Sequence, residues 1–356
     1  MNRVAIHKTG LDLLYYSGVS RALSGMYQGI GAIFMLHHIR PGSNTGNGFT
    51  PNSSLEITPE FLDIAIQYVK HRGYELISIE EAHQRLMSAE PAAAPFVVFT
   101  IDDGYKDNYE HAWPVFRRHD CPFTIFITTS IIDGTCELWW QGLEKVIAGQ
   151  TEITFDLGDG REHLSTATKK AKQEAFRCIY TPLRAMEEHQ QRRWIRRFCE
   201  ENGVDLDALC REQAMTWDDV REISRDPLCT IGAHTVNHFA VKKLDAEEAL
   251  KEAITSRERI GHETGKTPIA FAYPYGDETS VGDRDFEIIK SAGFDIAVTT
   301  RSGVVLSAHR EQLTSVPRVS LNGGFQKPRY LDVLLSGTSF GLARQVKKII
   351  GIFGSA

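Results

Sequence analysis

The sequence predicts an α/β fold in which parallel strands alternate with crossover helices. Three observations predict it. Short apolar runs bounded by turn residues recur at 31–36, 96–101, 122–128, 231–234, 269–273 and 296–299. Helical segments separate most of them, and that alternation makes parallel strands joined by helices. The residues with chemistry fall where the runs end, which is the end of a barrel that carries catalysis. A single barrel with insertions fits 356 residues as well as two domains do.

The elements follow in order. Residues 1–29 read as an amphipathic helical segment with Leu11, Leu14, Tyr15, Ala22, Leu23 and Met26 as its apolar positions. The first strand, 31–36, ends at His37-His38, and the Gly-, Asn-, Ser- and Pro-rich stretch 40–54 is a loop. Thr58-Pro59-Glu60 opens a helix with a cap residue, a proline and an acid, and Gly73 stops it. A buried strand then runs into Thr100-Ile101-Asp102-Asp103-Gly104-Tyr105, followed by a helix at 108–119 and a strand at 122–128. Residues 135–215 break the repeat with Trp139-Trp140, a hairpin-like stretch at 151–163 and a long helical region rich in Lys, Arg and Glu. This is an insertion that either covers the barrel mouth or decorates the surface. Thr216 caps the next helix, and helices at 246–261 and 283–292 separate the later strands. The barrel is expected to span 30–330. In the C-terminal segment, 331–356, Leu342, Val346, Ile349, Ile350 and Phe353 form a stripe with Arg344, Lys347 and Lys348 beside it. Such a helix packs on the barrel or a second subunit, or meets anionic lipid.

Composition narrows the function classes. With 42% hydrophobic and 24% charged residues the chain is an ordinary globular protein, and a net charge of −6 argues against general nucleic-acid binding. The six cysteines show no Cys-x-x-Cys spacing and read as reduced, packed thiols. The apolar stretch at 11–16 is short and interrupted by Asp12, so no secretory pattern is evident and a cytoplasmic location is expected.

Three motifs carry chemistry. Asp102 and Asp103 are adjacent carboxylates at a strand end, and like charges side by side are costly unless a metal or a proton explains them. His234 and His238, four apart, point the same way in a helical turn and can share one metal. Tyr273-Pro274-Tyr275-Gly276 repeats the form of an apolar run followed by a turn.

In this order and spacing the motifs resemble the polysaccharide deacetylase family, also called the NodB homology or carbohydrate esterase 4 family. Thr100 to Gly104 match its Thr-Phe-Asp-Asp-Gly with Ile101 for Phe, His234 to His238 its His-Ser/Thr-x-x-His, and Pro274 to Gly276 its Pro-Tyr-Gly. The resemblance covers roughly residues 30–320. It implies an irregular (β/α)7 barrel, here with a helical insertion and terminal helices. It implies a divalent metal, zinc first with cobalt or nickel as substitutes, held by Asp103, His234 and His238. Asp102 is then the base that takes a proton from water, and the Tyr275 N–H stabilises the oxyanion. His38, Tyr105, Tyr273 and Pro274, which adjoin these motifs, are the expected substrate contacts.

Two positions depart from the family pattern. Ala272 stands where many members have the arginine that orients the base, and Arg318 is the candidate substitute. The late Leu-x-His motif is missing; His309 is the only histidine after Gly276, and His37, His38 or a water are the other candidates for the acid. The implied activity is hydrolysis of N-acetyl groups on an amino-sugar poly-, oligo- or lipid-linked saccharide. From the expected compartment, the substrate is an oligosaccharide, a nucleotide-linked sugar or a lipid-linked intermediate, with peripheral membrane contact. The alternatives are a hydrolase of another non-peptide amide and a carbohydrate-binding barrel with impaired catalysis. The oligomeric state stays open.

Overall fold

Seven parallel strands close into a ring in the computed structural model, which describes residues 3–42, 48–88, 94–158 and 160–353, with side chains described between 6 and 346. They are β1 (Gly31–Leu36), β2 (Phe96–Asp103), β3 (Phe123–Ile127), β4 (Cys229–Ala233), β5 (Ala270–Ala272), β6 (Ile296–Ser302) and β7 (Val316–Ser320). Neighbours pair in chain order and β7 returns to β1, so the expected (β/α)7 barrel is present. The closure is irregular. β5 has three residues, the β6–β7 register shifts between Val298 and Ser302, and an extra strand, Glu75–Leu76, lies along the far side of β2.

The strands are apolar almost throughout because both faces are buried. Period-two alternation sends Ile33, Phe96, Val98, Phe126, Ala272 and Val298 to one cluster inside the ring. It sends Phe34, Val97, Phe99, Ile125, Phe271 and Tyr273 outward to the helices. The far end of the barrel is closed by the β6–β7 connection, where Val305 bridges Gly31 at the start of β1.

Local chemistry sets the helix starts. Thr58 Oγ1 accepts from Phe61 N, and Thr216 forms a capping box with Asp219. The expected helix at 108–119 begins instead as a wide π turn, Asn108–Ala112, and becomes α-helical only at Trp113–Arg118. Pro114 has no N–H for the regular ladder, which favours the widened turn.

The N-terminal segment is two helices, Arg3–Tyr16 and Val19–Tyr27, broken at Gly18 (φ +74°). It docks on a C-terminal pair, Pro328–Leu335 and Thr338–Phe353. Thr338 donates to Ser20 O (3.2 Å) and Gln345 to the Tyr27 hydroxyl (2.7 Å). Gly341 permits this approach, since a Cβ there would lie 2.3 Å from the Tyr27 ring. Of the C-terminal stripe, Leu342 is half-buried and Val346 exposed, while Lys347, Lys348, Ile349, Ile350 and Phe353 lie outside the described side chains.

The insertion lies between β3 and β4. It comprises the helix Trp139–Gly149, an antiparallel hairpin (Glu152–Asp156 with Arg161–Ser165) and the helices Lys169–Ala185, Glu188–Glu201 and Leu206–Gln213. It has its own core around Trp139, Leu143, Ile179 and Ile195. Tyr105 from the end of β2 and Tyr275 from the end of β5 pack into that core, so the insertion sits on the barrel mouth.

Candidate active site

Two adjacent side chains on a regular strand point to opposite faces. Asp102 follows the inward set Phe96, Val98 and Thr100, so Asp103 would face the outer helices. It does not, because Asp103 has φ +79° and turns its carboxylate into the mouth. Four of the five described non-glycine residues with positive φ are Asp103, Thr235, His238 and Tyr275, all at this site. Such strain persists only where the surroundings hold it, and it concentrates at functional sites.

His234 follows β4 and lies in an irregular bend. The expected helical turn is absent. Thr235 has φ +65° and its Oγ1 accepts the His238 N–H at 2.9 Å, while Glu252 accepts from the Val236 and Asn237 N–H groups, each at 2.9 Å. This bend brings both imidazoles to Asp103. His234 Nε2 lies 3.4 Å and His238 Nε2 3.2 Å from Asp103 Oδ1.

These three residues fit a metal ion. Their ligand atoms lie within 4.8 Å of one another, and all three residues are buried. Asp103 Oδ1 is a buried oxygen with no hydrogen bond. His234 Nδ1 is 2.6 Å from Ala272 O and so donates there, which leaves the Nε2 lone pair facing the centre. Burial pushes the His238 imidazole down to about 4 and keeps it neutral, as a ligand must be. Burial pushes the Asp103 carboxyl up, but the neighbouring imidazoles outweigh it and hold it well below the ordinary range.

Arg318 reaches Asp102 from β7 across the barrel interior. Its Nη1 and Nη2 donate to Asp102 Oδ1 and Oδ2 at 2.7 and 2.6 Å, its Nε to Thr299 O at 2.9 Å, and its Nη1 also to Thr100 Oγ1 at 3.1 Å. Burial raises the Asp102 pKa, and the Arg318 charge and hydrogen bonds more than reverse that. Small Ala272 on β5 leaves the interior to this arginine.

Tyr275 follows Pro274, and its N–H enters no hydrogen bond among the described residues. Its ring lies 4.8 Å from the His238 ring. Tyr105 is fully buried; burial and the Asp103 charge raise its phenol well above the usual value, so it stays protonated. His38 stacks on Tyr105 at 3.7 Å, and its Nδ1 is 2.7 Å from Asp107 Oδ2. His37 points to the acid pair, with Nε2 4.0 Å from Asp102 Oδ2.

Tyr273 is a correction. Strand alternation sends it outward with Phe271, where it packs on Phe286 and donates to Thr314 O at 2.9 Å. Its side chain packs against the outer helices and so faces away from the mouth and from substrate. His309 sits in the turn after Val305, at the closed end of the barrel, and its Nδ1 accepts from Leu306 N. Sequence reasoning missed Arg192, Arg184 and Glu252, which brace the site from remote positions. Arg184 and Arg192 stand in the charge-rich insertion and Glu252 in the helix Ala246–Thr264, and charged helical positions most often mean a solvated face. Trp139 was visible only as half of a tryptophan pair.

The chain is similar to several known proteins. The poly-beta-1,6-N-acetyl-D-glucosamine N-deacetylase of Escherichia coli K12 is 22% identical over 279 residues, which is 71% of this chain and 31% of that protein. The chain therefore spans about a third of that relative's length. Among solved structures, the Streptococcus pyogenes deacetylase PplD superposes with a TM-score of 0.56 at 20% identity, over 85% of this chain and 96% of that one. IcaB from Ammonifex degensii gives 0.54 at 17% identity, over 87% and 98%. These two likenesses establish the fold. The sequence profile of polysaccharide deacetylases matches residues 89–297. That match spans more than half of the chain and runs from the approach to β2 into β6, so the chain belongs to the polysaccharide deacetylase family.

Proposed function

We propose that this protein is a zinc-dependent hydrolase that removes N-acetyl groups from an amino-sugar poly-, oligo- or lipid-linked saccharide. One observation carries the reading: the Asp103–His234–His238 cluster and the Asp102–Arg318 pair meet at one barrel mouth. Two imidazoles and a carboxylate suit zinc better than magnesium or calcium, and cobalt or nickel can replace it. When bound, the ion supplies Lewis acidity toward the amide carbonyl and acidifies water.

The protein's residues do the rest. Asp102, held ionised and aimed by Arg318, takes a proton from the attacking water. The Tyr275 N–H donates to the oxygen that gains charge. His37, 4.0 Å from Asp102, carries the proton on to the leaving nitrogen. His38 is not suited to that step, since its Nδ1 is engaged by Asp107 and its ring by Tyr105. His37→Asn therefore keeps its metal and loses about 10²-fold in turnover, the lower end for a general acid or base. Metal analysis and acetate release check this, and turnover within twofold of wild type would remove His37 from the mechanism. Of the expected substrate contacts, His38 lines a groove with Arg40, Trp140 and Glu144, whereas Tyr105 and Pro274 are buried in the wall of the site. The reading as a whole is tested by acetate release from N-acetylated mono-, oligo- and lipid-linked sugars with zinc, cobalt or nickel; no release from any of them would reject it.

The location belongs to the same proposal: cytoplasmic, with peripheral contact at the inner face of the membrane. Residues 1–29 and 327–356 together hold eight lysines and arginines against two aspartates, a formal +6 in a chain of −6, which leaves −12 elsewhere. Leu13, Tyr16, Met26 and Val346 are exposed on these helices. No helix among the described residues is long and apolar enough to cross a membrane. Basic helices with exposed apolar residues favour anionic lipid surfaces. The full chain is expected to pellet with anionic vesicles and not with neutral ones. Equal, negligible pelleting with both would reject membrane contact.

A further inference from the structure

We infer that the insertion is a working part of the active site: Arg192, Trp139 and Arg184 hold the two strained turns that present His238 and Tyr275. This rests on the metal and oxyanion roles proposed above.

Both turns need holding. His238 has φ +55° and Tyr275 φ +61°, conformations that a non-glycine residue keeps only under constraint. On the barrel side, Glu252 grips the His238 turn through the Val236 and Asn237 N–H groups. On the insertion side, buried Arg192 donates from Nη2 to both Asn237 O and His238 O, each at 3.2 Å. Its charge is offset by Glu188 at 3.7 Å and Glu137 at 3.8 Å, so the guanidinium stays in place without solvent. The ring of His238 thereby gains a fixed backbone from two opposite directions.

Tyr275 is held in the same way. Trp139 is fully buried, and its Nε1 donates to the Tyr275 hydroxyl at 2.7 Å. The Arg184 guanidinium lies 3.8 Å from the centre of the Tyr275 ring, in cation–π contact, and is itself tied to Ser280 Oγ. The barrel side adds Thr300, whose hydroxyl donates to Tyr275 O. The side chain is thus clamped so that the backbone N–H keeps its direction. None of the three insertion residues touches the reacting atoms; they are positioning residues.

The test separates positioning from packing. In Arg192→Met, Co²⁺ affinity measured by chelator competition is expected to fall about tenfold, as for other groups that orient metal ligands, with Arg192→Lys falling less. Trp139→Phe keeps an aromatic ring but loses the N–H and part of the indole's buried volume. It is expected to lower kcat about tenfold, less than the ~10²–10³ for deleting an oxyanion donor, with KM and Co²⁺ affinity unchanged. In a Tyr275→Phe background the same change has no further effect, because its acceptor is gone. Native Co²⁺ affinity in both Arg192 variants would overturn that role, and equal loss from Trp139→Phe in both backgrounds would reduce Trp139 to packing. Wild-type protein that binds no Co²⁺ or releases no acetate would instead overturn the catalytic reading, and this proposal with it.

Discussion

Asp102→Asn is expected to retain its metal and lose about 10²–10⁴-fold in turnover, the usual worth of a general base. Asparagine keeps the size of the side chain and loses its basicity. The candidate metal cluster is Asp103, His234 and His238, and Asp102 is not part of it. The contrast is His238→Ala, which removes a ligand and is expected to strip most of the bound ion. Metal analysis of both purified variants, with acetate release for the first, separates the two roles. An Asp102→Asn enzyme with near-native turnover would sink the base assignment.

Arg318→Met is expected to be the most destabilising single change at the site, by about 3–5 kcal/mol, because it leaves a buried carboxylate without its partner. Arg318 and Asp102 are only 1% exposed, and two hydrogen bonds of 2.6–2.7 Å join them. Methionine fills part of the volume and neutralises nothing. The double variant Arg318→Met with Asp102→Asn is expected to recover much of the loss, since an amide costs far less to bury than a charge. Arg318→Lys keeps the charge without the two-pronged geometry and should lie between. Urea unfolding midpoints give the comparison. A single Arg318→Met variant as stable as wild type would show that the pair contributes little to the fold.

The sequence by itself marked the residues of the candidate site and the class of fold. Asp102, Asp103, His234, His238 and Tyr275 stand in local motifs at the ends of apolar runs, and such runs alternating with capped helices make a parallel barrel. The family resemblance added the strand count, which periodicity cannot supply. What only the tertiary structure decided is which distant residues meet. Period-two alternation reverses the reading of Tyr273, which faces the helices while its neighbour Ala272 faces the interior. The left-handed φ of Asp103 does the opposite for an acid that alternation would turn away. Arg318 finds Asp102, 216 residues away, and Arg192 finds His238, 46 away, because the closed sheet and the insertion on its mouth bring them together. The physical reason is the same in each case. Local pattern sets propensity and spacing along the chain, whereas burial of charge and strain is settled only where separate elements meet.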